Sequence, residues 1–289
     1  MNRMMIIIAA LLFSTAGAAI KGTTLTGFQV ASFRSLVAVI FLFIILPKAR
    51  VLPSKKILMV CVAYAMTVIF FVLSNKLTTA ANSIFLQSAS PLYIMLLSPF
   101  FLKEKIKRSD LLLIIPIVAG IALLFAGTSG SGALSSNPIL GNILACCAGV
   151  CWAFLIMGLR FLKRDDDANK GIILLLWGNL LASAISMPFA LPVQSFLMSD
   201  VFLILFLGII QISIAYLFML KGLSKVPAFE ASLLLLFEPA FSPIIAWLVH
   251  KETVTLITLL GAGLIFLATI LKSYFQQMNK RSTKPLGLV

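Results

Sequence analysis

Long apolar stretches follow one another along this chain, and polar residues collect in the short gaps between them. Each stretch holds about 17 to 25 mostly apolar residues, enough to cross ~30 Å of hydrocarbon as a helix. Ten such spans are predicted, at 4–20, 27–47, 56–75, 79–102, 109–127, 138–160, 171–193, 201–221, 226–249 and 254–274. The least apolar gaps are the glycine-serine stretch at 127–137 and the Lys-Arg-Asp-Asp-Asp run at 163–167. The first reads as a flexible linker. The second reads as a solvated turn, with metal binding by Asp165–Asp167 the weaker alternative.

The pattern repeats. Ser90-Pro91 and Glu238-Pro239 lie 148 residues apart, each midway along an apolar span, and the two spans end in Lys103-Glu104 and Lys251-Glu252. Five spans separate corresponding points, and an odd number inserts the second copy upside down. Inverted repeats with helix-breaking residues at mid-bilayer are a signature of secondary transporters. The predicted organisation is a first five-helix repeat at 1–128, a linker at 129–137, a second repeat at 138–275 and a tail at 276–289.

Charge gives this order a direction. With the N-terminus in the cytoplasm, 19 of the 23 Lys and Arg residues fall on the inner side. Only Lys21, Lys76 and Lys251 fall outside, and Arg34 lies within a span. Basic residues concentrate on the cytoplasmic side of membrane proteins, so both termini are expected there. Lys251 is outside while its repeat partner Lys103 is inside, as inversion requires. The expected fold is an all-α polytopic membrane protein of ten transmembrane helices in two inverted five-helix repeats, in the bacterial inner membrane.

Composition agrees. Hydrophobic residues make up 61% of the chain and charged residues 11%, with a mean hydropathy of +1.11, against about a quarter charged for a soluble domain. The net charge of +14 is scattered over short loops, where it sets topology, so nucleic acid is not expected as a partner. Cys61, Cys146, Cys147 and Cys151 lie inside apolar spans and read as packing residues. No CxxC pair points to metal, and no cofactor is expected. Asn2-Arg3, an apolar run and Gly17-Ala18-Ala19 mimic a signal peptide. Cleavage would break the five-plus-five symmetry, so the first span is kept. Gly127-Thr-Ser-Gly130 matches a pattern of intramembrane serine proteases, but Ser129 sits in the linker and His250 is the sole histidine. No Walker A sequence or HExxH occurs, and an enzyme is not expected.

The stretch Leu236-Phe-Glu-Pro-Ala-Phe-Ser-Pro-Ile-Ile-Ala-Trp-Leu-Val-His-Lys-Glu252 resembles the ninth-helix motif of EamA-type transporters, members of the drug/metabolite transporter superfamily. Phe33-Arg34-Ser35-Leu36, Gly149-Val-Cys-Trp152-Ala-Phe, and Ala80-Ala-Asn82-Ser through Pro91 to Glu104 resemble the family's second, sixth and fourth helices. The likeness covers 4–274. It implies two inverted five-helix halves around a central cavity and transport of small metabolites, often outward. The fourth helix departs from the usual pattern, with Gln87-Ser88-Ala89-Ser90 where small apolar residues are common.

Glu238 is the leading functional candidate. A charged carboxylate near the centre of a span costs several kcal/mol unless paired or protonated. Such a group can bind a substrate amine or take up and release a proton; its bland alternative is a carboxyl hydrogen-bonded to a neighbouring helix. Glu230, nearer the cytoplasmic end, is a second proton-path candidate. Pro91 and Pro239 leave the carbonyls of Gln87 and Leu235 without helical partners, which shapes either a kink or a cavity wall. Arg34 lies about 5 Å outward of the middle of span two. Its permanent charge must snorkel outward, pair with Glu238 or hold a substrate carboxylate. Gln87, Gln211, Asn82, Asn179, Tyr64, Tyr93, Tyr216 and Trp152 are expected to face the bundle interior. Of these, Gln87, Asn82, Tyr64, Trp152, Gln211 and Tyr216 are the substrate-binding candidates beside Glu238 and Arg34. Trp177 and Trp247 are interface anchors or packing residues, and His250 is expected to be solvated. The functional expectation is an exporter of small metabolites such as amino acids, with a proton gradient as candidate coupling partner. Its rivals are an importer of a nucleoside-like or cofactor metabolite, and a non-transport scaffold, receptor or lipid-pathway subunit. The lipid bilayer and a small-molecule substrate are the expected partners, and monomer and homodimer stay open.

Overall fold

A computed structural model describes residues 2–101, 108–127, 135–162, 169–193, 196–223, 226 and 234–282. Within them the chain is all helical. The first span is two helices, α1 (Asn2–Ser14) and α2 (Ala16–Gly22). They part at Thr15, where the hydroxyls of Ser14 and Thr15 donate to the Leu11 and Leu12 carbonyls at 2.7 Å each. Such back-bonding competes with the helical ladder. Next come α3 (Gly27–Ile45) and α4 (Lys55–Leu77). Thr26 and Gln29 form a reciprocal capping box at the start of α3, and Ser54 caps α4.

The fourth span is broken. Helix α5 (Ala80–Ser88) gives way at Ala89, and α6 (Ser90–Phe101) restarts there. Pro91 thus falls in the first turn of a helix, where an N–H has no intrahelical partner to lose. The same solution appears in the ninth span. Residues 234–235 are helical, Leu236 is a turn, and a new helix runs Phe237–His250 with Pro239 in its first turn. Between these breaks lie α7 (Arg108–Ala126), α8 (Pro138–Leu162), α9 (Lys170–Ala190) and α10 (Met198–Leu205). A π-helical stretch, Phe206–Ile214, follows α10 and leads into α11 (Ala215–Leu223). The helix Phe237–His250 is α12, and α13 (Leu256–Ser282) runs well past the predicted end of the tenth span.

Seven of these units are long and apolar enough to cross a membrane: Asn2–Gly22, Gly27–Ile45, Lys55–Leu77, Ala80–Leu97, Pro138–Leu159, Lys170–Ala190 and Met198–Gly222. Ile114–Ala126 and Leu256–Leu271 are shorter apolar helical stretches. The outer faces carry large exposed apolar residues such as Phe100, Met59 and Phe202, a surface suited to lipid rather than water. The chain is a multi-pass membrane protein.

The packing maps onto itself when the halves are exchanged. Helix α1 packs on α11 and α12, as α8 packs on α4 and α5. Helix α4 packs on α9, as the π-helical stretch packs on α3. The pairs α3–α9, α5–α12 and α7–α13 join one half to the other. The α7–α13 contact is reciprocal at its closest point. A Cβ on Gly120 would lie 2.7 Å from the Gly261 carbonyl oxygen, and one on Gly261 would lie 2.7 Å from that of Gly120. Glycine at both positions lets the two backbones touch. Helix α1 is part of this core, with Ile6, Ala9, Ala10 and Phe13 buried.

Candidate functional site

Arg34 is carried into the interior by α3. It is 2% exposed, so it does not snorkel to the bilayer surface. Its Nη2 donates to the Val68 carbonyl at 3.4 Å, while Nε and Nη1 have no hydrogen-bond partner. The backbone around it is tightly held. A Cβ on Gly208 would come within 2.6 Å of the Arg34 carbonyl oxygen, so glycine lets the π-helical stretch lie against α3.

Two tyrosines stand beside the guanidinium, within its electrostatic reach. Tyr64 on α4 is fully buried and fills the space opened by Gly178, where a Cβ would meet the ring at 2.6 Å. Its hydroxyl accepts from Asn179 Nδ2 at 2.9 Å, and the same amide donates to the Leu175 carbonyl at 2.8 Å. Tyr216 on α11 meets Tyr64 edge-on, with ring centres 5.6 Å apart, and Phe13 supports its other side at 4.9 Å. Tyr216 lies within electrostatic reach of both Arg34 and Glu238.

Glu238 occupies the first turn of α12, where the helix dipole favours a negative charge. Its side chain is partly exposed and makes no hydrogen bond or ion pair among the described residues. The direct Arg34–Glu238 pair weighed from the sequence is therefore not formed. Gln211, in the π-helical stretch, is buried with its Oε1 unpartnered. Ser213 steadies that stretch by donating from its hydroxyl to the Gly208 carbonyl at 2.8 Å, five residues back. π-Helical turns are frequent at functional sites. Trp152 packs against the same apolar cluster as Tyr64.

The remaining candidates are dispersed. Gln87 is partly buried with its Oε1 unpartnered, and its backbone carbonyl lies 3.2 Å from where a Cβ on Gly149 would sit. The glycine leaves room for that carbonyl at the break in the fourth span. Asn82 serves packing at one end of the bundle: its amide donates to the Leu124 carbonyl and to Asn142 Oδ1, each at 3.3 Å. It also lines a small cleft with Thr79, Gly127, Thr255 and Thr258. Glu230, Ser129 and Asp165–Asp167 lie outside the described residues. Trp177 donates to the Val51 carbonyl at 2.9 Å and so anchors a loop.

That same end of the bundle holds a polar cluster that sequence reasoning missed. Lys21 and Glu252 form an ion pair at 3.9 Å, with side chains 4% and 5% exposed. Glu252 also accepts from the Ala80 N–H at 2.8 Å, at the start of α5. Lys76 donates to the Thr23 carbonyl and hydroxyl at 2.7 and 2.9 Å. Asp200 accepts from the Thr24 N–H and hydroxyl at 2.8 and 2.6 Å and from the Leu197 N–H at 3.1 Å. His250, expected in solvent, is only partly exposed and bonds the Ala18 carbonyl through Nε2 at 2.8 Å. Burial pushes the Glu252 carboxyl above its ordinary value, and Lys21, the Ala80 N–H and His250 pull it back.

Known proteins give this geometry a context. A family model described as the EamA-like transporter family matches residues 3–126 and again 139–274. The uncharacterized transporter YdfC of Bacillus subtilis is 26% identical over 261 residues, which cover 87% of this chain and 84% of that protein. An uncharacterized transporter of Clostridium kluyveri is 21% identical over 73% of this chain and 68% of its own length. The uncharacterized transporter YyaM of Bacillus subtilis is 22% identical over 76% of this chain and 73% of its own. One crystal structure aligns over 96% of this chain and 98% of its own with a TM-score of 0.65 and 17% identity, a likeness of fold.

Proposed function

The chain belongs to the EamA-like transporter family, and from that membership we propose that it is a secondary active transporter that exports small metabolites such as amino acids. The family's members are transporters, not enzymes. In this reading ten helices form two inverted five-helix halves with both termini in the cytoplasm, seated in a bacterial inner membrane. The halves are 1–128 and 138–275, joined by the linker at 129–137 and followed by the tail at 276–289. The exchange symmetry of the packing and the two broken spans support it. Rocking of one half against the other then exposes one central site to each side in turn.

One observation carries the reading: Glu238 stands unpaired in the first turn of a helix that restarts inside the bundle, with Arg34, Tyr64 and Tyr216 close by. A carboxyl group held that way exchanges protons or binds a cationic group when a solute arrives. We assign it proton coupling or amine binding, with Gln87, Gln211 and Trp152 shaping the cavity. The test is Glu238→Gln in proteoliposomes. Transport should be lost, or continue without response to a pH gradient. Full activity with an unchanged pH response would remove Glu238 from the mechanism.

A further inference from the structure

Among the described residues, no acidic group pairs with Arg34. A guanidinium stays protonated throughout the physiological range, and a buried cation without a counter-charge is costly. Nε and Nη1 hold three of its five N–H donors, and all three are unpartnered. Its one bond among the described residues is to a backbone carbonyl, which is neutral.

The surroundings are also short of partners. Helices α3 and α9 run antiparallel: Gln29 bonds the Ala190 carbonyl, and Ser32 bonds the Ser183 carbonyl. One turn further along this register come Ser35 on α3 and Asn179 on α9, whose Oγ and Oδ1 are buried without partners. Buried polar atoms are nearly always satisfied. Ser35 follows Arg34 in the chain, and Asn179 bonds Tyr64, which lies within electrostatic reach of Arg34, so these unmet groups share one neighbourhood with the guanidinium. The Asn179 amide hydrogens are already used on Tyr64 and Leu175.

We propose that Arg34 is the anion-binding group of the central site, and that the transported solute carries a carboxylate or phosphate held by the guanidinium. This rests on the transporter reading above and adds the chemical class of the cargo. The solute's charge balances Arg34 while it is bound, with Tyr64 and Tyr216 within electrostatic reach. Glu238, across Tyr216, is then left to a proton or to a cationic end of the same solute.

The test uses the full-length purified protein and four pools of pure compounds: carboxylates including amino acids, sugar and glycerol phosphates, nucleosides, and diamines. Thermal unfolding followed by tryptophan fluorescence reads binding, and proteoliposome uptake of the same pools reads transport. The carboxylate or the phosphate pool should stabilise the protein, and which one responds separates the two sources of charge. Arg34→Gln should weaken that response at least tenfold. Arg34→Lys keeps the charge but loses the planar donor set, so it should weaken it less; it and the wild-type pools decide the matter if Arg34→Gln does not fold. The double variant Arg34→Gln/Glu238→Gln should not restore anion binding. Three results would overturn the proposal: a response to nucleosides or diamines alone, anion binding unchanged in Arg34→Gln, or restoration in the double variant, which would make Glu238 the true counter-charge. Uptake of nucleosides or diamines without any anion would leave the transporter standing and remove this inference. No binding and no uptake from any pool would remove both.

Discussion

Among the described residues, two places bring a cation and a carboxylate into one neighbourhood, and only one of them makes a pair. At one end of the bundle Lys21 and Glu252 meet at 3.9 Å, and Glu252 is held further by the Ala80 N–H. In the centre Arg34 and Glu238 share Tyr216 as a neighbour but no bond. The end pair ties α2, α5 and the turn after α12 together, so its charges serve the fold. Arg34 and Glu238 make no ion pair among the described residues, and the function proposed above leaves them to a solute. Burial alone does not separate a structural ion from a functional one; a counter-charge within ion-pair distance, as Lys21 has in Glu252, does.

Breaking one member of each set is the sharpest way to break the comparison. Glu252→Ala takes the carboxylate from Lys21 and leaves the Ala80 N–H buried without its acceptor, and should destabilise the protein by about 3 kcal/mol in chemical or thermal unfolding. Glu238→Ala should leave stability unchanged or raised while removing transport. Equal losses of stability in the two variants would end the distinction. Asp200→Ala comes next. It removes a carboxylate that accepts three hydrogen bonds at the same end, and should cost about 2 kcal/mol. Ser213→Ala removes the bond across the π-helical turn. It should cost about 1 kcal/mol and change transport more than so small a loss of stability explains, if the turn positions Gln211 and Tyr216.

The smallest effect is a pH slope. Burial raises Glu252 above its ordinary value near 4.3. Between that value and the raised one, the folded chain holds a proton the unfolded chain has released. Stability contributed by this group therefore falls as pH rises through that window. Unfolding midpoints measured across it should show a shallow decline that is absent in Glu252→Gln. An identical slope in the variant would assign the titration elsewhere.

Much of the fold is written locally. Pro91 and Pro239 lie just past the breaks at Ala89 and Leu236, while Pro99, Pro116, Pro188 and Pro243 sit inside continuous helices, so a proline marks a candidate break without fixing it. The starts of α3 and α4 lie close to those of their apolar runs because Thr26 and Ser54 cap them. What the sequence did not disclose depends on distant partners or small side chains. The break at Thr15 comes from two hydroxyls turning back on their own helix, a choice open to any Ser or Thr. The π-helical stretch carries no pattern that separates it from an α-helix. Lys21 and Glu252 are 231 residues apart, and His250 looked solvated because nothing nearby in sequence announces Ala18. Asn82 was grouped with the cavity residues for being polar within a span, yet its amide joins helices. Arg34 and Glu238 were legible as outliers in an apolar chain. That they remain apart was not.

The most direct test is uptake by proteoliposomes of a mixed metabolite pool, read by mass spectrometry with and without a pH gradient. Wild-type protein should move at least one small solute bearing a carboxylate or phosphate. The gradient should change its rate, and Glu238→Gln should remove either the movement or the pH response. A wild-type protein that binds such solutes but moves none across the bilayer under either condition would not be their transporter.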